Sequence, residues 1–313
     1  MKKKYLVTGG SGFIGRAITL SLLKKNNSVI IVDNKFRNKK YYDIKDKNLK
    51  IFNIDIRNKN SLKKVFNKVD AVIHLAYING TSFFYEIPNL ILDVGIKGMI
   101  NILELCEENK IKEFYLASTP EVHNSPYLPT DEKVPLIIPD PFNPRYSYAA
   151  GKIISEIMTL NANFLDKAII FRPYNIYGPN MGYNHVIPEI ILKSLKSNKK
   201  LKIQGSGNQT RSFCYIDDFV AGFNLLLSKG KNKNIYNIGN KDEIKIKDLV
   251  KKIIKISNKK LSISTSSQKK GDVKRRCPDI TKLRKLGFKP KNNLDLGLIK
   301  TYEWYFEDKK NKL

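Results

Sequence analysis

The chain alternates short, continuously apolar runs with stretches in which apolar residues recur at helical spacing. Residues 4–8 (KYLVT) predict a buried strand, followed by glycines and a helix whose face carries Ile18, Leu22 and Leu23. Residues 28–33, 50–54, 70–75, 113–117 and 168–172 have the same strand-like character, and 61–67, 89–109 and 147–164 predict intervening helices. Strands apolar on both faces belong to a parallel sheet covered on both sides. Right-handed crossovers then make that sheet doubly wound.

Beyond residue 173 the pattern breaks up, with Pro or Gly at 173, 178, 179, 182, 188, 205 and 207. A smaller, mixed α/β part is expected there, with helices at 216–229 and 244–256. The strand-like NIYNIG at 234–239 is placed to return to the first sheet. The expected division is 1–172, with 212–240, as one domain and 173–211 with 241–313 as the other.

Gly9, Gly12 and Gly15 lie between the first strand and the first helix. Glycines at such a junction permit a tight turn and close backbone approach, so that a helix N-terminus can bind a pyrophosphate. Asp33 closes the second strand 18 residues after Gly15, where an acid binds the adenosine ribose hydroxyls. The first part therefore reads as a Rossmann-type dinucleotide-binding domain. The acid favours NAD over NADP, whose 2′-phosphate it would repel, although Lys35 and Arg37 stand nearby. Asp55-Ile56, after the third strand, fit a position flanking the adenine, or an ordinary strand end.

Tyr148 and Lys152 are one turn apart on a predicted helix and share a face. An ammonium beside a phenol favours the phenolate, which can take a hydroxyl proton while a hydride moves to a nicotinamide. With 16 Tyr in the chain, such a spacing also describes an ordinary surface pair. Ser118-Thr119 strengthens the catalytic reading: it follows a strand end, where doubly wound folds hold ligands. Thr119 is placed to share the hydroxyl that Tyr148 deprotonates.

Composition changes this picture little. The net charge is +28, but 48 of the 57 basic residues are Lys and they are scattered along the chain. Base readers rely on Arg forks and exposed aromatics, so no nucleic-acid partner is expected. The charge suits a phosphorylated small substrate. Cys106, Cys214 and Cys277 show neither disulfide-framework nor zinc spacing, so no metal is expected. No apolar run is long enough to span a bilayer and no export signal is evident, so a cytoplasmic protein without membrane partners is expected.

TGGSGFIG, Asp33, DIR at 55–57, HLA at 74–76, STPEV at 118–122 and the Tyr148-Lys152 spacing together resemble the extended short-chain dehydrogenase/reductase family. The resemblance continues through RPYNIYGP (172–179), GSGNQTRSFCYIDD (205–218), YNIGN (236–240) and RRCPDITKLRKLGFKPK (275–291), covering nearly the whole chain. These enzymes are NAD-dependent nucleotide-sugar epimerases, dehydratases and decarboxylases. The resemblance implies a catalytic set of Thr119, Tyr148 and Lys152, with Glu121 as a base or a hydroxyl ligand. It implies NAD contacts from Phe13, Ile14, Asn34, Leu75 and Ala76 besides the glycines. Asn175, Arg211 and Arg276 would hold the nucleotide sugar. Helices 89–109 and 147–164 have apolar faces, and members of the family commonly pair such helices into a four-helix interface, so the resemblance implies a homodimer.

Three departures bear on the reaction. Dehydratases of the family carry Thr-Asp-Glu where this chain has Thr119-Pro120-Glu121, and proline cannot donate a proton. UDP-glucuronate decarboxylases carry Thr-Ser-Glu, so that Glu121 and Arg276 match while Pro120 does not; their VYG is Val122-His123-Asn124 here. A family Asn is replaced by Gly95. Oxidation of a sugar hydroxyl, typically at C4, followed by re-reduction is unaffected by Pro120. Epimerisation is therefore the expected reaction, with decarboxylation, dehydration or dehydrogenation as alternatives, and an NAD-binding regulator as the non-enzymatic one.

Overall fold

The computed structural model describes residues 2–36, 44–123, 128–267 and 274–310; Arg37 and Asn124 lie outside them. The chain forms two compact units. The first comprises Met1–Pro126, Glu132–Pro173 and Gly222–Tyr236, the second Tyr127–Asp131, Tyr174–Ala221 and Asn237–Leu313.

The first unit is built on a seven-stranded sheet. Strands β1 (Lys4–Thr8), β2 (Ser28–Val32), β3 (Leu49–Phe52), β4 (Ala71–His74), β5 (Glu113–Ala117) and β6 (Lys167–Pro173) run in the order β6-β5-β4-β1-β2-β3, and each of these pairs is parallel. Asn234–Ile238 adds the seventh strand, beside β6. The return of NIYNIG to the first sheet is thus observed. The central strands are buried along almost their whole length, which accounts for their unalternating apolar sequences.

Helices α1 (Phe13–Lys24), α2 (Lys59–Lys63), α3 (Thr81–Glu86), α4 (Pro88–Leu92), α5 (Gly98–Glu108) and α6 (Ser147–Asn161) belong to this unit. One expectation needs correcting: 89–109 is not a continuous α-helix. A π-helical turn over Asp93–Lys97 joins α4 to α5. Apolar spacing conceals such a turn, because only the hydrogen-bond register changes.

Strand order reverses between β1 and β4. The carboxyl ends of these strands therefore form the crevice where doubly wound sheets hold ligands.

The second unit packs helices Val186–Lys196, Ile246–Ile256 and Leu294–Lys310 against one another. A parallel pair, Lys200–Gln204 with Ser262–Ser266, lies beside the first of them. A three-stranded sheet joins Glu243–Lys245, Thr210–Ser212 and Arg275–Arg276. Among the described residues, no helix is long and apolar enough to cross a membrane.

Candidate active site

The turn after β1 can be made only by glycine. Gly9 has φ +68°, and a Cβ there would lie 2.8 Å from the Ala76 backbone. A Cβ on Gly15 would overlap the Gly9 carbonyl oxygen, so α1 can start this close to the turn only without one. Gly12 is the N-cap and supplies no side-chain bond, which leaves the first turn, with Phe13 and Ile14, to an anionic ligand. Thr8 ties the two crevice strands together: its Oγ1 accepts from the Leu75 and Ala76 N–H groups and lies 2.8 Å from His74 Nδ1. Burial, with Lys152 nearby, lowers the His74 pKa to about 3, so its ring is neutral and not a proton shuttle near pH 7.

At the end of β2, Asp33 accepts from the Ser11 and Lys35 N–H groups at 3.1 and 2.8 Å. Burial raises its pKa, and these bonds oppose that shift. Asn34 donates to Asp55 at 3.0 Å, and Arg57 clamps the same carboxylate, holding its pKa at about 2. Ile56 is buried against Gly98 of α5. The ends of β1 to β4 thus carry a glycine cradle, an acid one strand over and a second acid beyond it. This arrangement fits NAD: a glycine cradle at a helix N-terminus has room for a pyrophosphate, and an acid at the end of the second strand suits ribose hydroxyls.

The residues expected to react lie at the end of β5 and on α6. Lys152 is only 2 % exposed, and its Nζ donates to the Ala117 carbonyl at 2.6 Å, anchoring α6 to the end of β5. Thr119, next but one in the chain, caps a 3-10 turn over Pro120–Val122 by accepting from the Glu121 N–H at 3.2 Å. Tyr148 is buried between Phe84, stacked at 5.0 Å, and Tyr77, edge-on at 5.1 Å. Its ring is therefore fixed by packing on two sides.

Burial lowers the Lys152 pKa to about 7, with Glu156 acting in the opposite direction. Between about pH 7 and the ordinary lysine range, the unfolded chain binds a proton that the folded one does not. This group's contribution to stability therefore rises with pH through that window and is least favourable below pH 7. Lys152→Met is expected to remove that slope and to raise the melting temperature at pH 6 by roughly 3 °C or more, while abolishing turnover. Thermal melts at pH 6 and pH 9 check this; a variant melting below the parent at pH 6 would contradict it.

Behind Lys152 lies a buried ion pair. Arg172, at the end of β6, meets both carboxylate oxygens of Glu156 at 2.8 and 2.6 Å, and its Nη1 is 2.9 Å from His123 Nε2. His123 is thereby part of this network.

Sequence reasoning missed two residues here. Arg145, three residues before Tyr148, brings its guanidinium to 3.6 Å from Glu121. Its position close upstream of Tyr148 was the available signal. Tyr77 also touches both Tyr148 and Lys152, and only its place directly after HLA hinted at that.

The remaining candidates lie in the second unit. Asn175 donates to the Ser212 carbonyl at 2.8 Å. Arg211 and Arg276 are half-buried register partners on adjacent parallel strands, and the Arg211 guanidinium donates to the Thr210 carbonyl at 2.8 Å.

A doubly wound sheet with a glycine cradle, an acid at the end of the second strand and a buried tyrosine and lysine on one helix is the architecture of dinucleotide-binding folds. Comparison with known proteins narrows this. The model of the NAD dependent epimerase/dehydratase family matches residues 5–239, and the chain belongs to that family. It is accordingly an enzyme, and NAD is its cofactor.

The chain is 33 % identical to the UDP-N-acetyl-alpha-D-glucosaminuronate decarboxylase of Bacillus cytotoxicus, over 98 % of this chain and 99 % of that one. It is also 33 % identical to the UDP-glucuronate 4-epimerase of Thermodesulfobacterium geofontis, over 97 % and 96 %. The crystal structure of the dTDP-glucose 4,6-dehydratase of Streptomyces venezuelae, with NAD and TYD bound, superposes with a TM-score of 0.86 at 27 % identity, covering 98 % of each chain.

Proposed function

We propose that the chain is a nucleotide-sugar epimerase that transiently oxidises a sugar hydroxyl, that at C4, and re-reduces the ketone on its other face. The observation that carries this reading is that Tyr148 and Lys152 are both buried, one turn apart on α6, while the residue after Thr119 is a proline, Pro120, where a dehydratase presents a proton donor. Tyr148 takes the hydroxyl proton at its Oη, Lys152 favours the phenolate, and Thr119 Oγ1 orients the hydroxyl. Bound NAD supplies the hydride acceptor and then the hydride donor. Gly9, Gly12 and Gly15 with the α1 N-terminus hold the pyrophosphate, and Asp33 the adenosine ribose. Asn34, Asp55 and Ile56 flank the adenine, while Leu75 and Ala76 border the cofactor after β4. Arg211 and Arg276, register partners on adjacent strands, take the substrate diphosphate, since guanidinium forks match phosphate oxygens, and Asn175 contributes to the same nucleotide-sugar site.

Glu121 beside Arg145 favours a second reading, decarboxylation of a nucleotide-linked uronic acid. A C4 ketone is β to the C6 carboxylate of such a sugar, so both reactions share their first step. The relatives named above, a uronate decarboxylase and a uronate 4-epimerase at equal identity, support a uronic acid as the substrate in either case.

The test is NMR of the purified enzyme in D2O with UDP-glucose, UDP-glucuronate, UDP-N-acetylglucosaminuronate and dTDP-glucose. Epimerisation yields a new hexose or uronate whose mass is unchanged apart from exchanged deuterium. A pentose with released carbon dioxide would overturn it in favour of decarboxylation.

The proposed assembly is a homodimer. Ile100 on α5 and Ile154 and Ile157, one turn apart on α6, are 39 %, 38 % and 53 % exposed, an apolar surface suited to self-association. Light scattering at micromolar concentration is expected to give twice the chain mass, and Ile154→Glu with Ile157→Glu the monomer; a monomeric parent chain would refute the assembly.

A further inference from the structure

Tyr77 leaves the end of β4 directly after Ala76. Its hydroxyl is buried and has no hydrogen-bond partner among the described residues. It occupies space that two glycines leave open. A Cβ on Gly95, in the π-helical turn, would overlap the Tyr77 oxygen, and so would one on Gly151, the residue before Lys152. The ring is wedged by these contacts with its face 4.2 Å from Lys152 Nζ and in a T-shaped contact with Tyr148. A hydroxyl without a partner is a cost to folding, which draws attention to what the ring does.

We propose that Tyr77 is a positioning residue for the reaction: wedged between Gly95 and Gly151, its ring face holds the Lys152 ammonium beside Tyr148 and stabilises its charged form. This rests on the reading of Lys152 as the partner of Tyr148.

The groups facing Lys152 leave that task to the ring. On α6, the Glu156 carboxylate is divided between Lys152 and two bonds to Arg172, and Tyr148 is the group to be activated. From β4, His74 is neutral near pH 7. From β5, the Ala117 carbonyl accepts one of three ammonium protons. Burial drives the Tyr77 hydroxyl pKa far above its usual value, so the phenol stays neutral and presents its negative ring face to the cation. Gly95 and Tyr77 thus act as a pair: the residue that lacks a side chain makes room for the one that reaches in.

The experiment is an NMR pH titration of NAD-saturated enzyme carrying lysine labelled with 13C at Cε. Lys152→Arg identifies the Lys152 signal by its loss. Tyr77→Leu is expected to lower the Lys152 midpoint by about one pH unit, and Tyr77→Phe, which keeps the ring, to leave it within about 0.3 unit of the parent. If Tyr77→Leu does not fold, Gly151→Ala displaces the ring from the other side and is expected to lower the midpoint in the same direction.

A filler of space alone would change the melting temperature and leave the midpoint in place. An unmoved midpoint in Tyr77→Leu or, failing that variant, in Gly151→Ala overturns the proposal. So does a Phe variant shifted as far as the Leu variant. The titration requires no turnover, so its failure is distinct from failure of the parent reading, which retained activity in Tyr148→Phe would overturn.

Discussion

Tyr148→Phe is expected to lower turnover by a factor of about 1,000, within the range for a positioned general base, while NAD affinity changes by less than a factor of about two, a difference of roughly 0.4 kcal/mol. The substitution keeps the aromatic ring, and Phe84 and Tyr77 hold that ring by stacking and edge contacts that do not involve its hydroxyl. The cofactor cradle lies at the β1 turn and the end of β2, so it is preserved. What is lost is the oxygen proposed to exchange a proton with the sugar. Single-turnover rates with the reactive sugar, together with NAD titration by calorimetry, separate the two effects. Turnover within tenfold of the parent would exclude Tyr148 as the base. A parallel loss of NAD binding would assign the residue to cofactor binding instead.

The second large effect concerns stability. Glu156→Ala is expected to cost about 3–5 kcal/mol, because it leaves the Arg172 guanidinium buried without its counter-charge. Both side chains are 1 % exposed and are joined through both carboxylate oxygens, so water cannot take the place of the lost partner. His123 Nε2, 2.9 Å from Arg172, cannot neutralise the charge. Replacing the two together, Glu156→Leu with Arg172→Met, is expected to recover much of the loss, since an apolar pair of similar volume removes the desolvation cost as well as the attraction. Denaturant unfolding of the single and double variants gives the comparison. A single-variant loss below 1 kcal/mol would contradict the assignment of a buried, charged pair. The single variant also removes the influence that raises the Lys152 pKa, so the ammonium would titrate at lower pH.

The first unit was legible to the extent that burial leaves a local signature. A strand covered on both faces must be apolar at successive positions; thus EFYLA at 113–117 coincides with β5 residue for residue. The strand-like NIYNIG is expected to return to the first sheet, and Asn234–Ile238 lies there. The second unit was far less legible. Its sheet segments at Thr210–Ser212, Glu243–Lys245 and Arg275–Arg276 are two or three residues long, too short for any periodicity. They exist because each finds a partner distant in the chain, and that pairing puts Arg211 beside Arg276. Helix Val186–Lys196 went unpredicted among the surrounding Pro and Gly residues.

The glycine turn, the acid at the end of β2 and the helical spacing of Tyr148 and Lys152 depend on a few neighbouring residues and on the backbone geometry they permit, so the amino-acid order alone determined them. It equally determined that Pro120 offers no proton. The environment of those groups depends on side chains far apart in the chain, and only the tertiary structure decided it. The π-helical turn that presents Gly95, the Tyr77 ring under Lys152, the Arg172–Glu156 pair behind it and the guanidinium of Arg145 beside Glu121 arise from packing. Burial and charge at a point in space are sums over all neighbours, whatever their separation in the chain. That is why the lysine was visible in the sequence, while its lowered pKa and the aromatic ring beneath it were not.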